Sequence, residues 1–266
     1  MKIAFIGGGA MGEAMMSAIL DKGLSTPKSI SIGDVSEARR QHLEQKYGVA
    51  VMSSNRLVVE RGDVVVLAIK PQNLSEVMAE LNGQLKSSQL VLSIIAGARV
   101  DTLIRGLSHR CIVRVMPNTP AQIGEGMSVL TATAEVTEQQ KEWAASLLGA
   151  MGRELYVDDE KYIDMATAVS GSGPAYVFLF LEALVDAAVQ IGLPRDMAHE
   201  LALQTILGSG HLVQKSGKSP AELRKMVTSP GGTTAEALLE LGKGGFSDLL
   251  KRAVIAAYNR ARELGG

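Results

Sequence analysis

The sequence predicts an α/β protein in two parts: an N-terminal parallel sheet wound with helices, then an all-helical C-terminal part. Short β-branched runs recur through the first half, helix-like segments separate them, and no convincing strand follows the segment ELYVDDEK at 154–161. Such alternation favours parallel strands joined by crossover helices. The chain has 266 residues, 46% of them hydrophobic, which is enough for two ordinary domains with a substantial core. The expected division is 1–157 and 158–266.

The strand-like runs are KIAFI, SISI, DVVVLAI, LVLSII, CIVRV and MSVLTA. Residues 11–22 form the helix between the first two, and 36–47 another with charge on one face. Residues 137–151 make a further helix, opened by Thr137 with Gln140 three residues on, the pattern of a capping box. Beyond the transition, 174–191 starts with Pro174 and is followed by Gly192, the asymmetry of a single helix. Residues 195–215 form the next, Ser219 and Pro220 start a short one, and 246–264 closes the chain. The segment PAYVFLFLEALVDAAVQI is apolar nearly all round until Glu182, so one buried stripe cannot explain it. A helical part of roughly 105 residues has too little interior to enclose it, and a second subunit is expected to cover it. The uncharged run 165–181 contains Gly171, Gly173 and Pro174 and falls short of the roughly 20 residues of a membrane helix. No membrane partner is expected.

A net charge of −1, from 27 basic and 28 acidic residues, gives no electrostatic reason to expect nucleic acid or an anionic membrane surface. Any anion site must be local. The single cysteine, Cys111, rules out an intramolecular disulfide and reads as a buried strand thiol in a reducing compartment. At the N-terminus glycines interrupt the apolar run after Ile6, unlike a signal peptide. A cytoplasmic protein is expected.

Gly7, Gly9 and Gly12 have the G-x-G-x-x-G spacing, directly after an apolar strand and opening a helix. That context marks a dinucleotide site: a tight turn at Gly7, close approach of pyrophosphate at Gly9, helix-to-strand packing at Gly12. Asp34 follows about 20 residues later, where an acid holds ribose hydroxyls, which leans towards NAD(H). Arg39 and Arg40 lie a turn or two beyond and could instead meet the 2′-phosphate of NADP(H), while Asp34 could simply cap the helix from Ser36. The cofactor is therefore NADP(H) or NAD(H). Lys70 and Pro71 in AIKPQ, and the proline-stiffened MPNTPA at 116–121, close strands on the edge that faces a ligand crevice in open α/β sheets.

An alcohol dehydrogenase needs a general base, yet His42, His109, His199 and His211 belong to no constellation. Neither zinc-type Cys and His spacing nor a metal-ligand set of acids is present, and no metal is expected. SGSGPA at 170–175 lacks the final glycine of a nucleophile elbow. Little acid and base machinery points to reduction of a C=N bond, because a protonated imine is already electrophilic and needs mainly positioning and exclusion of water. TSPGGTTAEALLEL at 228–241 is either punctuation before a helix, with Leu238, Leu239 and Leu241 as a buried stripe, or a site.

The blocks IGGGAMGEAM, AIKPQ, RVMPNTPAQIGEGM, AVSGSGPAYVF and LRKMVTSPGGTTAEAL, in this order and separation, resemble the pyrroline-5-carboxylate reductase family, whose members make L-proline. The resemblance runs to about residue 264, and its last block is the most specific. It implies a Rossmann-type N-terminal domain, a C-terminal all-helical dimerisation domain with interlocking helices, and often a decamer of five dimers. It also implies hydride transfer from NADPH or NADH to C5 of 1-pyrroline-5-carboxylate, a small imino acid. Carried over by motif, Gly7, Gly8, Gly9, Ala10, Met11 and Gly12 hold pyrophosphate, and Asn55 contacts the adenosine part. Ala68, Ile69, Lys70 and Pro71, with Ile94, Ile95 and Ala96, line the cofactor path. Gly232, Thr233 and Thr234 belong to the loop whose amides take the substrate carboxylate, and the Thr234 hydroxyl bonds the ring nitrogen. Glu160 matches a substrate-proximal acid. GDVSEARR does not settle the choice of coenzyme.

The residue chemistry agrees at one point: a zwitterionic imino acid needs an anion hole without bulk, which free amides at a glycine-led helix start provide. A β-hydroxyacid dehydrogenase shares the glycine start and the helical second domain but relies on a lysine, and GSGPAYVFLFLEA has none. A dinucleotide-binding regulator without turnover is the other alternative, against which the intact PGGTT argues.

Overall fold

The β-branched runs become β1 (Ile3–Ile6), β2 (Ile30–Gly33), β4 (Val64–Leu67), β5 (Leu90–Ser93), β6 (Ile112–Met116) and β7 (Gly126–Ala132), joined by β3 (Ala50–Met52) and β8 (Gly152–Tyr156). They form one eight-stranded sheet in the order β3-β2-β1-β4-β5-β6-β7-β8. The computed structural model describes residues 1–265. From β3 to β6 every pairing is parallel, but β7 runs antiparallel to β6, with Val113 opposite Ala132 and Met116 opposite Val129. The sheet is thus the parallel one expected, save for this one reversed pairing, since β8 again runs parallel to β7. The link between β6 and β7 holds only a short 3₁₀ turn, Thr119–Ile123, and a parallel return needs a crossover of a dozen residues or more.

Between the strands lie α1 (Ala10–Asp21), α2 (Glu37–Tyr47), α3 (Asn55–Val59), α4 (Leu74–Leu81), α5 (Val100–Leu107) and α6 (Glu138–Gly149), with α7 (Lys161–Ala166) after β8. They cover both faces, as alternation within β1 requires: Ile3 and Phe5 pack with Met15, Met16 and Ile19, whereas Ala4 and Ile6 pack with Val65, Leu67 and Leu103. The capping box of α6 forms as expected, with Thr137 Oγ1 accepting the Gln140 amide at 3.3 Å and Gln140 Oε1 accepting the Thr137 amide at 2.9 Å. Cys111 is half-buried just ahead of β6 rather than inside it.

After α7 the helix widens into a π turn over Thr167–Gly171. The chain divides into two compact units, residues 1–172 with residues 257 onward, and residues 173–256. The first extends past the expected boundary at 157 because Arg114 of β6, only 2% exposed, ion-pairs with Glu160 at 2.6 Å and Asp164 at 2.8 Å and so binds α7 to the sheet.

The second unit is built from α8 (Gly173–Gln190), α9 (Arg195–Ser216), α10 (Pro220–Met226), α11 (Thr233–Lys243) and the start of α12 (Phe246–Leu264). Its own core is small: Val185, Ala198 and Ala202, with Leu181, Leu184 and Val189 partly buried against them. Much of its apolar surface stays open within the single chain, including an apolar groove of ≈ 700 Å³ between Phe180, Ile206, Phe246 and Leu250. The run Lys161–Gln190 is long and apolar enough, by length and composition alone, to cross a membrane, and 11% of its apolar window is buried within the chain.

Candidate active site

The loop after β1 is shaped by backbone crowding. Gly7 has φ +98°, and a Cβ on it would lie 2.6 Å from the Ala68 carbonyl oxygen; a Cβ on Gly12 would lie 2.6 Å from that of Gly7. Gly9 faces the opposite situation, since a Cβ there would meet nothing within 4 Å. Gly7 donates to the Gly33 carbonyl at 2.7 Å, Gly8 to Asp34 Oδ2 at 2.8 Å, and the first amide used inside α1 is that of Glu13, to Gly9 at 2.8 Å. Among the described residues, the amides of Gly9, Ala10, Met11 and Gly12 have no acceptor. Four free N–H groups at a helix start, with open space above Gly9, fit a pyrophosphate.

Asp34 stands where β2 ends and divides its carboxylate, Oδ2 to Gly8 and Oδ1 to the Ser36 amide at 2.9 Å. Ser36 itself caps α2 through the Arg39 amide. Arg39 donates Nε to the Gly8 carbonyl and pairs through Nη2 with Glu13, while Arg40 Nη1 donates to the Asp34 carbonyl at 2.6 Å. Glu13 also accepts from Tyr47 at 2.8 Å and Lys46 at 3.0 Å. Burial opposes ionisation of Glu13, yet the hydrogen bonds from Tyr47, Arg39 and Lys46 outweigh it and hold the carboxyl at about 2.

Asn55 opens α3 beside the same strand end, its Oδ1 only 2.6 Å from where a Gly33 Cβ would stand and its Nδ2 held by Glu80 at 2.7 Å. Ala68 is fixed by its amide on the Ile6 carbonyl at 2.8 Å, Ile69 is half-buried, and Pro71 starts a 3₁₀ turn. Lys70 is exposed and has no ion-pair partner among the described residues. Ile94 and Ile95 pack into the hydrophobic clusters on opposite faces of the sheet, so they can offer a ligand only backbone; Ala96 is half-buried. The expected cofactor residues thus gather along the carboxyl ends of β1, β2, β4 and β5.

Glu160, also in the first unit, accepts both Arg114 Nη1 and the Val100 amide on Oε1, at 2.6 and 2.8 Å. Arg114 escaped the sequence reading, although a lone arginine in an apolar strand signals buried acids nearby. Asn118 escaped it too: Nδ2 donates to the Ser170 carbonyl at 3.0 Å and Oδ1 accepts the Met127 amide at 2.9 Å, fastening the MPNTPA loop to the π turn and β7. Buried His109 bonds the Gln89 carbonyl at 2.8 Å, a structural role.

The PGGTT loop lies in the second unit. Gly231 has φ +69°, and α11 is capped by Gly232 with no side-chain hydrogen bond. The Gly232 carbonyl accepts Ala235 at 3.0 Å and Glu236 at 3.3 Å, so the amides of Thr233 and Thr234 are the ones left without an acceptor among the described residues. Neither threonine hydroxyl takes part in a hydrogen bond there. Leu239 and Leu241 are 51% and 45% exposed, so the stripe behind the loop is not buried within the chain.

A glycine turn after the first strand of a doubly covered sheet, an acid ending the second, and an appended helical unit define a dinucleotide-dependent oxidoreductase. Residues 160–264 match the family model described as pyrroline-5-carboxylate reductase dimerisation, and residues 2–97 the one described as NADP oxidoreductase coenzyme F420-dependent. The pyrroline-5-carboxylate reductase of Arabidopsis thaliana is 41% identical over 99% of this chain and 95% of its own length, and that of a Synechocystis strain 41% over 100% and 98%. A solved pyrroline-5-carboxylate reductase from Coxiella burnetii superimposes with TM-score 0.91 at 38% identity, covering 100% of this chain and 98% of that one. A pyrroline carboxylate reductase from Plasmodium falciparum, solved with NADP bound, has the same TM-score at 34% identity and the same coverage. A ketol-acid reductoisomerase at 18% identity and TM-score 0.65 shares the fold alone. The chain belongs to the pyrroline-5-carboxylate reductase family.

Proposed function

We infer that this chain catalyses the NAD(P)H-dependent reduction of 1-pyrroline-5-carboxylate to L-proline, the last step of proline biosynthesis. The observation that carries the reading onto these residues is the start of α11, where the Thr233 and Thr234 amides and the Thr234 hydroxyl have no partner among the described residues. On this reading the two amides and Gly232 receive the substrate carboxylate in place of a side-chain cap, and Gly231 and Gly232 keep the approach free of bulk. The Thr234 hydroxyl holds the ring nitrogen and orients its proton. Glu160 is carried over by motif as a substrate-proximal acid, and its Oε1 also accepts Arg114 and the Val100 amide. Gly9, Ala10, Met11 and Gly12 receive the pyrophosphate, Asp34 and Asn55 the adenosine part, and Ala68 to Pro71 with the Ile94–Ala96 backbone the path between. Bound there, the nicotinamide cofactor supplies the hydride for the C=N carbon.

The open faces of the helical unit support a homodimer formed through it, and we extend this to a decamer of five dimers in the cytoplasm. Side-by-side oxidation of NADH and NADPH with 1-pyrroline-5-carboxylate tests the activity; nucleotide binding without turnover would instead establish the non-catalytic regulator, and hydroxyacid oxidation alone the dehydrogenase. Thr234→Ala is expected to lower kcat/KM by roughly 100-fold while cofactor affinity stays within about twofold. Equal loss of both would remove Thr234 from the substrate site.

A further inference from the structure

Glu13 stands in the first turn of α1, next to the free amides of the glycine loop, where a second anion is unfavourable to an incoming pyrophosphate only if it is unpaired. It is thoroughly paired. Its side chain is 17% exposed and receives Arg39, Lys46 and Tyr47 together. The consequence falls on Arg39. This arginine lies five residues beyond Asp34, places Nε on the Gly8 carbonyl and Nη2 on Glu13, and is 26% exposed.

The two coenzymes differ at this spot by one group. A ribose diol donates hydrogen bonds to a carboxylate such as that of Asp34, whose two oxygens are already aimed by the Gly8 and Ser36 amides. A 2′-phosphate brings roughly −1.5 to −2 charge and needs a guanidinium to offset both itself and Asp34. Arg40 donates Nη1 to the Asp34 carbonyl, whereas Arg39 spends Nη2 on the Glu13 carboxylate, so Arg39 is the cation whose engagement Glu13 governs. We propose that Glu13 is a coenzyme-selecting residue: by pairing with Arg39 it withholds that guanidinium from a 2′-phosphate and biases the protein towards NADH. Lys46 and Tyr47 remain on Glu13 if Arg39 leaves, so the selection is graded rather than absolute.

The inference rests on the dinucleotide reading but not on turnover, and its test is a titration of the full-length protein with NADH and NADPH in the absence of substrate. Glu13→Gln is expected to raise NADPH affinity relative to NADH by roughly tenfold, the worth of about one charge-assisted hydrogen bond. Arg39→Gln alone is expected to leave the NADPH-to-NADH ratio near that of the unaltered protein, and Glu13→Gln combined with Arg39→Gln to abolish the gain. An unchanged ratio in Glu13→Gln overturns the proposal, and so does a collapse of NADPH affinity in Arg39→Gln alone, which would put Arg39 on the phosphate already. Should Glu13→Gln not fold, Glu13→Asp, which withdraws the carboxylate from Arg39 while keeping its charge, is expected to raise the ratio in the same direction, and an unchanged ratio there overturns the proposal equally. Failure of the unaltered protein to bind either coenzyme would instead defeat the dinucleotide reading itself.

Discussion

Arg114 is a buried cation held between two acids of the first unit. Its side chain is 3% exposed between Glu160 and Asp164, and that of Asp164 is only 7% exposed. Arg114→Met would leave the buried Asp164 with only the longer contact to Arg99 at 3.7 Å, which offsets part of the about 3–5 kcal/mol that an unpaired buried charge costs, whereas exchanging such a pair for apolar groups is far milder. Urea unfolding should therefore show a large fall in midpoint for Arg114→Met and a partial recovery when Asp164→Leu is added; a loss under about 1 kcal/mol would mean the pair is not load-sharing with the fold. Glu13 gives a second residue-scale expectation, in pH. Its carboxyl is lowered from 4.5 to about 2, so the folded state favours the ionised form. The stabilisation is complete above 4.5 and is lost as pH falls from 4.5 towards 2. Acid unfolding of Glu13→Gln should accordingly depend less steeply on pH in that window than that of the unaltered protein, and parallel curves would show that the cluster contributes nothing there.

At the scale of the element, the helix starts make a contrast. Thr137 caps α6 with its own hydroxyl, and Thr137→Ala is expected to cost about 1 kcal/mol in thermal or urea unfolding. At α11 the threonines sit inside the helix and Gly232 caps it, so Thr234→Ala should leave stability nearly unchanged while lowering turnover. Sequence patterns read the first case correctly because both partners of the box lie three residues apart. They could not separate cap from site at TSPGGTT, where the difference lies in which amide remains unpaired. The strong parallel strands were legible from their β-branched runs. The edge strands β3 and β8 were not: AVM is apolar but only three residues long, and GRELY is polar and largely exposed. The reversal of β7 was hidden in the length of a loop. Among the site residues, the glycine turn and Asp34 follow from local spacing, whereas Arg114 and Glu13 act through partners 46 and 26 residues away in sequence, beyond any local pattern.

At the scale of the whole molecule, the helical unit is apolar where a lone chain would meet water. Phe178 is 60% exposed and Leu179 65%, and the groove by Phe180, Phe246 and Leu250 continues that surface. Apolar area of this kind is worth about 25 cal/mol per Å² when removed from water, and contiguous patches of it are rarely left open on monomers. The family model that spans this region is described as a dimerisation model, in line with homo-oligomerisation. Two measurements follow from mass action. The Tm of the unaltered protein should rise with protein concentration, because association stabilises only the folded chain. Leu179→Glu should shift sedimentation towards monomer and lower that Tm. Since Leu179 is already exposed within one chain, the glutamate costs an isolated fold little, so the fall in Tm reports the lost interface rather than a damaged core. An unchanged sedimentation profile for Leu179→Glu would place the dimer contact on another face of the helices.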